Sequence, residues 1–553
     1  MPMTRSNEDG FTMIVTVIGL SLMASLTLVA VTAVSGDSRL TVRDMQQKQA
    51  YEAAKAGIDD YAYRLHANTG YWTACANVTP PTAVNLKGST ANRLTVPGSA
   101  TAKYAIELLP STTQTTYSQC STANPTLSML QSTDPLKGTF RIRSNGYAGD
   151  AHAAIVATFK PASFLDYVYF TQRETSDPVT YGKTSTVEAA EKQCKKSIAE
   201  KRYDLEIASG AGYCDAISFV SGDFINGPMH TNDAFVICGS PTLGGSAADP
   251  VEVSGPPKGW FSTYEIPHSG SSCTGSNKNF KGTYTPNSAV LTPPPTNNEL
   301  STIAQPAFRF KGQVRICLNA KSMTVMTFST SNSCSSPSSV LYSGSIPSNG
   351  VVYVESGTCS SKFYTPFNVS YAVTSENTGC GNAYVQGTYS GQLTIATYND
   401  IIVTGNLCIE SCSATLPFKG EAVLGLVANN FVRIYHPTKI EKWYNDRRDR
   451  WEEECVNASG AMESGVKIDA AILAISHSFI VDSYNCGAQM GTLTVNGAIA
   501  QYYRGAVGTG SGGFSGTGYI KSYNYDSRLK YIQPPSFISP VKTAWVIGRE
   551  TLE

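Results

Sequence analysis

Charge is the scarcest resource in this chain. Only 15% of its 553 residues are charged, and Lys+Arg equals Asp+Glu at 42 each. A balance this even gives no field to attract a polyanion, so no nucleic-acid partner is expected. No Cys-x-x-Cys pair occurs among the 14 cysteines, and Cys408-x-x-x-Cys412 has no second half at ligand spacing. No metal is therefore expected. The six histidines, at 66, 152, 230, 268, 436 and 477, form no local cluster. Nor do the strand-like runs carry the paired acids that glycan-cleaving β-helices use. No catalytic residue and no cofactor are expected, and the chain reads as structural or adhesive rather than enzymatic. The sharpest absence is local: no charged residue lies between Phe11 and Gly36.

That uncharged run, about 25 residues, is long enough to cross a bilayer core as a helix. A secretory signal peptide has a shorter apolar region and ends at a small-residue cleavage site. The helical pattern also continues past the run. From Arg39 to His66 there is no proline, and Ala50, Ala54, Ile58, Tyr61 and Leu65 recur at helical spacing as one apolar stripe. Asp44, Lys48, Glu52, Lys55 and Asp59 climb the other side with alternating sign. One helix over 11–66, about 80 Å long, follows.

Beyond the helix the pattern becomes β. Ala102–Leu109 is one strand-like run; Gly138–Ser144, a turn at Asn145-Gly146, and Ala153–Phe159 read as a hairpin. Phe140 and Ile142 alternate with Arg141 and Arg143, which predicts one buried face and one wet one. After an aromatic linker at 164–181 and a short charged helix at Glu188–Tyr203, a larger β region begins. From Asp400 its apolar runs return every twenty to thirty residues with Asn or Gly at the corners. Such spacing suggests the stacked rungs of a parallel β-helix, with a β-sandwich as the alternative. An insertion at 439–466, with Trp443 and Trp451 among mixed charges, reads as a solvated helix. Gly508–Gly518 is a flexible loop; a phosphate cradle would need its lysine sooner than Lys521. The closing Tyr523–Pro535 segment suits a cap on an open end. Asp223, His230, Asn232 and Asp233 form the one site-like stretch, for a hard cation or for substrate polarisation. The alternative has Asn226, Asn232 and Asp233 making turn hydrogen bonds.

The cysteines are even in number and scattered, which fits an oxidising compartment. Short closures are easiest in a β-stack, so the expected pairs are Cys75–Cys120, Cys194–Cys214, Cys238–Cys273, Cys317–Cys334, Cys359–Cys380, Cys408–Cys412 and Cys455–Cys486.

The polar leader Thr4–Asp9 ending in Gly10, followed by Phe11-Thr12-Met13, resembles the prepilin signal of type IV pilins and their pseudopilin relatives. The hairpin segment Phe140–Gly149 is similar to the head of PilX-type minor pilins. The resemblance implies cleavage after Gly10 by a prepilin peptidase and methylation of Phe11. It also implies packing of the helix against other pilins. Major pilins of the family usually carry a glutamate where this chain has Val15, and the helix is followed by a head of roughly 490 residues. Both features suit a low-copy subunit at a filament tip.

The expectation is an α+β, mainly β chain. Its parts are a leader (1–10), a transmembrane and amphipathic pilin helix (11–66), a small antiparallel head (67–163) and a β-rich extracellular domain (164–553). It would sit in the cell membrane as a single-pass protein with a cytoplasmic N-terminus, then reach the cell surface or an extracellular pilus. A surface or glycan ligand is left open. The rival function is a membrane-anchored β-helix enzyme acting on glycans.

Overall fold

The computed structural model describes residues 9–68, 70–75, 84–85, 93–112, 116–131, 138–181, 192, 194–195, 217–255, 260–262, 279–329, 331, 333–359, 379–509, 516–541 and 545–552. The protein is mainly β with few helices. It falls into two compact units: Met1–Pro161 together with Trp545–Glu553, and Ala162–Ala544.

The first unit opens with helix α1 (Asp9–Ala67). Its early side chains, among them Met13, Val17, Leu20 and Leu26, are exposed. Among the described residues, however, no helix is long and apolar enough to cross a membrane. This overturns the expected single-pass anchor and the cell-membrane location. The described side chains from Met13 to Val29 are not all apolar. Ser21, Ser25 and Thr27 interrupt them, each turning its hydroxyl back to a carbonyl one turn earlier.

The second half of α1 follows its apolar period. Ala50, Ala53, Ala54, Ile58, Tyr61 and Leu65 are all buried, and the charged residues from Asp44 to Asp59 face solvent. The buried stripe lies on an antiparallel sheet of Lys103–Leu109, Phe140–Ala148, Ala151–Pro161 and Trp545–Leu552. Phe140 opposes Phe159 with rings stacked at 5.3 Å, and Trp545 meets Phe140 edge-on at 4.8 Å. On the other face Arg143 pairs with Glu107 at 2.7 Å. The last strand comes from the C-terminus, so residues 545–553 belong to this unit and not to the large β domain in which they were expected.

The hairpin turn also differs from expectation. Strand Phe140–Ala148 runs straight through Asn145-Gly146, and the chain reverses at Gly149-Asp150, with Gly149 at φ +56°. Gly146 serves packing instead. A Cβ there would lie 2.0 Å from the Ala50 carbonyl oxygen and 2.3 Å from the Ala54 nitrogen. Gly57 reciprocates from the helix, where a Cβ would lie 2.3 Å from Ser144 Oγ. The two glycines let helix and sheet backbones approach closely.

The second unit is mainly a stack of parallel strands in several rows; two are long, and a shorter one joins Phe479–Val481, Val432–Ile434 and the start of Ile401–Ile409. In space the first row runs Thr283–Pro286, Pro250–Val253, Met229–Thr231, Tyr169–Arg173, the end of Gln489–Tyr503, the end of Val466–Ala474, Val423–Ala428, Gln392–Thr397, Val351–Glu355 and Arg309–Lys311. The second row includes Thr242–Leu243, Phe224–Asn226, Gly518–Tyr525, the first halves of the two long strands, Ile401–Ile409, Asn382–Tyr389 and Gln313–Ala320. Inward side chains superpose rung on rung. Val251, Met229, Tyr169, Ile499, Ile472, Leu426, Ile395 and Val352 form one register-aligned buried column. Each such side chain contributes about 1.5–3 kcal/mol by leaving water.

The chain enters this stack in its middle. Tyr169–Arg173 lies between the last long strand and Met229–Thr231, and Phe224–Asn226 lies beside Gly518–Tyr525. The unit's first and last strands thus meet at a seam. Gly518–Tyr525 is an interior rung rather than part of an end cap. Farther on, Pro534 and Pro535 lie against Gly425 and Gly350 on the flank of the rungs, and the Pro535 carbonyl accepts from Thr394 Oγ1. Residues 438–457, expected to be helical, form an antiparallel hairpin of Thr438–Asn445 and Arg450–Asn457. Lys442 opposes Glu453 and Tyr444 opposes Trp451 across it, pairings that suit two strands better than one helix. Most of the charged helix expected at Glu188–Tyr203 lies outside the described residues.

Candidate functional site

A dense polar cluster lies at the seam of the second unit, and the predicted Asp223–Asp233 segment is part of it. Strand Tyr169–Arg173 carries Thr171 inward, and Glu174 follows at its end. Glu174 is fully buried; it accepts from the Tyr169 hydroxyl at 3.1 Å, from Thr171 Oγ1, and from Arg504 Nη1 at 3.2 Å. Burial lifts its carboxyl above the usual range, against the pull of the Arg504 guanidinium and the Thr171 hydrogen bond. Arg504 also donates to the carbonyl of Ile217 at 2.8 Å and lies 3.6 Å over the Phe219 ring. It thereby joins the end of the long strand Gln489–Tyr503 to the chain's entry.

Each predicted residue of the segment takes an internal partner here. Asp223 accepts from the Val220 amide at 3.0 Å and pairs with Lys521 at 3.1 Å. Burial pulls Lys521 down, and Asp223 opposes that shift. His230 contacts Glu252 through Nδ1 at 2.8 Å and Asn232 through Nε2 at 3.0 Å. Asn232 also accepts from the Leu291 amide, and Asp233 accepts from the Glu174 amide at 3.0 Å. The four residues are brought into one neighbourhood, where they brace the seam.

A polar ladder crosses the same boundary. Asp469, Asn496, Asn524 and Asn226 occupy aligned positions on four successive rungs. Asn496 donates to Asp469 at 2.8 Å, Asn524 to Asn496 at 3.2 Å, and Asn226 to Asn524 at 3.2 Å. Asn496 and Asn524 each both give and receive, so the polar groups at the middle of the ladder are satisfied by their neighbours. A second buried charged cluster lies elsewhere in the stack. Arg433, fully buried, stands 3.6 Å from Asp400 and 3.8 Å from Asp482. Asp400 is lifted by burial and drawn back by Arg433.

The other predicted positions are spread along the chain. Gly10 and Phe11 lie in the first turn of α1, and the preceding leader residues 1–8 lie outside the described residues. Val15 is exposed. Disulfides join Cys75–Cys120, Cys317–Cys334, Cys359–Cys380, Cys408–Cys412 and Cys455–Cys486. Cys194 and Cys238 are disulfide-bonded too; Cys214 and Cys273, their expected partners, lie outside the described residues. Among the described residues no group of His, Cys, Asp and Glu is arranged to hold a metal. In the first unit a shallow cleft beside the hairpin turn is lined by Arg43, Gln46, Gln47, Asp150 and His152.

Sequence reasoning missed Glu174, Arg433 and Arg504. Each lies in or beside an ordinary β segment, and its ionic partner lies far away in sequence.

No known family's profile matches the chain, and comparison with curated proteins finds no match. Among solved structures, the crystal structure of the competence-associated pilin ComZ from Thermus thermophilus is similar at 13% identity and a TM-score of 0.26. The match covers 92% of this chain and 98% of that one. Overlap this loose carries no inference about fold or activity.

Proposed function

We propose that the chain is a low-copy subunit of a type IV pilus or pilus-like extracellular filament, built on the PilX-type minor-pilin plan. The observation that carries this reading is helix α1. Its early part offers exposed apolar side chains, and its later part is seated on an antiparallel sheet. In a filament the exposed part would bury itself against the corresponding helices of neighbouring subunits. The sequence at Gly10-Phe11 supports the same plan, with a prepilin peptidase as the processing partner.

The second unit is read as a parallel β-helix, on the strength of its rows of parallel strands and its aligned buried column. It is taken as the displayed, binding part of the subunit rather than a catalytic one. Its buried carboxylates Glu174, Asp400 and Asp469 are each engaged by hydroxyls, amides or cations of the fold. Disulfides in both units suit a compartment that keeps thiols oxidised.

Two features favour the filament tip over the shaft. Position 15 is Val, where a repeating subunit is expected to carry an acid that neutralises its neighbour's amine. A unit the size of Ala162–Ala544 would also crowd a filament if it recurred at every subunit. Immunogold labelling of intact filaments tests this: gold at one end is expected, and gold along the whole shaft would defeat the tip assignment.

A further inference from the structure

The hairpin of Thr438–Asn445 and Arg450–Asn457 pairs with no other strand among the described residues, and it carries large exposed side chains. Its register places Ile440, Lys442 and Tyr444 on one face, opposite Cys455, Glu453 and Trp451. Trp451 is 68% exposed and Tyr444 44%, with ring centroids 5.6 Å apart in an edge-to-face pair. Trp443 projects from the opposite face. Exposing two aromatic rings side by side forfeits the burial that such side chains normally gain.

The hairpin is also held firmly at its base. Cys455 is bonded to Cys486, and His436 bridges the Asp482 carbonyl and the Asn457 side chain at 3.0 Å each. An aromatic pair presented on a fixed ribbon loses little freedom when a ligand settles on it.

Charge decides the class of ligand. Residues 438–457 hold five basic and six acidic side chains. Many are already paired within the ribbon: Lys439–Glu441, Lys442–Glu453, Arg448–Glu452 and Arg450–Glu452, all within 3.4 Å. Little net field remains for a polyanion or a charged lipid surface. An apolar protein partner fits poorly as well, because the Lys442–Glu453 pair sits between Ile440 and the two rings and breaks the apolar surface. A chain of uncharged sugars fits both elements. Its C–H faces stack on the rings, and its hydroxyls bond to the flanking carboxylate and ammonium groups.

We propose that the Tyr444–Trp451 face is a binding site for an uncharged glycan. This deepens the reading of the second unit as the displayed part of the subunit and rests on it. The test uses the full-length purified protein, titrated with cellohexaose, chitohexaose, maltohexaose and a charged oligogalacturonate while tryptophan fluorescence is followed. Binding does not depend on filament assembly, so its failure and that of the filament reading are separable. Saturable binding of at least one neutral oligosaccharide, undiminished in high salt, is the expected result. Trp451→Ala and Tyr444→Ala should each weaken it by more than about tenfold, while Trp443→Ala leaves it unchanged. Binding of no neutral oligosaccharide, or binding that survives Trp451→Ala, would overturn the proposal. So would preference for the oligogalacturonate with loss in salt. Sedimentation closes the remaining route: a self-association that Trp451→Ala abolishes would make a second copy the occupant and overturn the glycan site.

Discussion

The two units solve the burial problem in different ways. The first packs helix α1 on an antiparallel sheet, and its core is dominated by rings and small residues: Tyr61, Phe140, Phe159, Trp545, Ala54 and the glycines at 57 and 146. The second stacks strand on strand, so every inward position recurs one rung later and polar side chains are buried in rows. Asn496 is buried and Asn524 half-buried, and each finds the next member of its own ladder. Close approach of backbones governs the first unit; satisfaction of buried polar groups governs the second. The same type of substitution should therefore act through different physics in each.

The largest effect is expected at Arg433. Arg433→Met fills the space but strands Asp400 and Asp482 without their cation. Loss of one partner from a buried ionic cluster costs about 3–5 kcal/mol. The loss should also depend on pH. The folded-state value of Asp400 already stands above the ordinary 3.8 because of burial, with Arg433 drawing it down. Removing Arg433 raises it further. A raised value gives a contribution that is fully present below the unfolded-state pKa and lost as pH rises through the folded one. The variant's deficit should thus be widest at neutral pH and shrink as pH falls toward about 4. Urea unfolding of both proteins across that range is the measurement; a deficit that grows on acidification would contradict the assignment.

In the first unit the corresponding weak point is steric. Gly146→Ala sets a methyl group 2.0 Å from the Ala50 carbonyl oxygen, so helix and strand must separate. A cost of about 1–3 kcal/mol is expected, seen as a lower thermal midpoint for this unit and a changed near-ultraviolet circular dichroism signal. Acidification should not rescue it. Unchanged stability would show that α1 does not lie on this strand.

Smaller again is Asn496→Ala, which removes one member of the polar ladder. Asp469 loses a donor and Asn524 an acceptor, for about 1–2 kcal/mol. Asn496→Asp tests the mechanism, since it keeps the shape but replaces the donor to Asp469 with a second carboxylate. It should be worse than alanine at neutral pH and recover in acid.

Much of this comparison is legible in the sequence, and the failures have physical causes. The stripe from Ala50 to Leu65 and the alternation around Phe140 are local periodicities, and both fall where the pattern puts them. Asn145-Gly146 mimics a turn because the need for a small residue against a helix backbone and the need for a turn select the same amino acid. At 439–466, mixed charges and tryptophans read equally well as a helix face. The deciding signal is Asn445, whose Oδ1 accepts from the amides of Arg447 and Arg448 and starts the reversal. The seam leaves no local trace. Tyr169–Arg173 meets a strand more than 300 residues later, and residues 545–552 return to the first sheet by a pairing no short window encodes. In the Asp223–Asp233 stretch the residue types are evident, but their partners Glu174, Glu252 and Lys521 emerge only from the stacking. The expected membrane anchor rests on the uncharged run and the pilin resemblance, and the described helix does not support it.

The filament reading depends most directly on where the mature chain begins. Edman or mass-spectrometric sequencing of the protein from its native source should find Phe11 first, carrying an N-methyl group, and Gly10→Val should leave the leader attached. An intact Met1 in the native protein, or a cut near Ser35, would contradict the filament-subunit account.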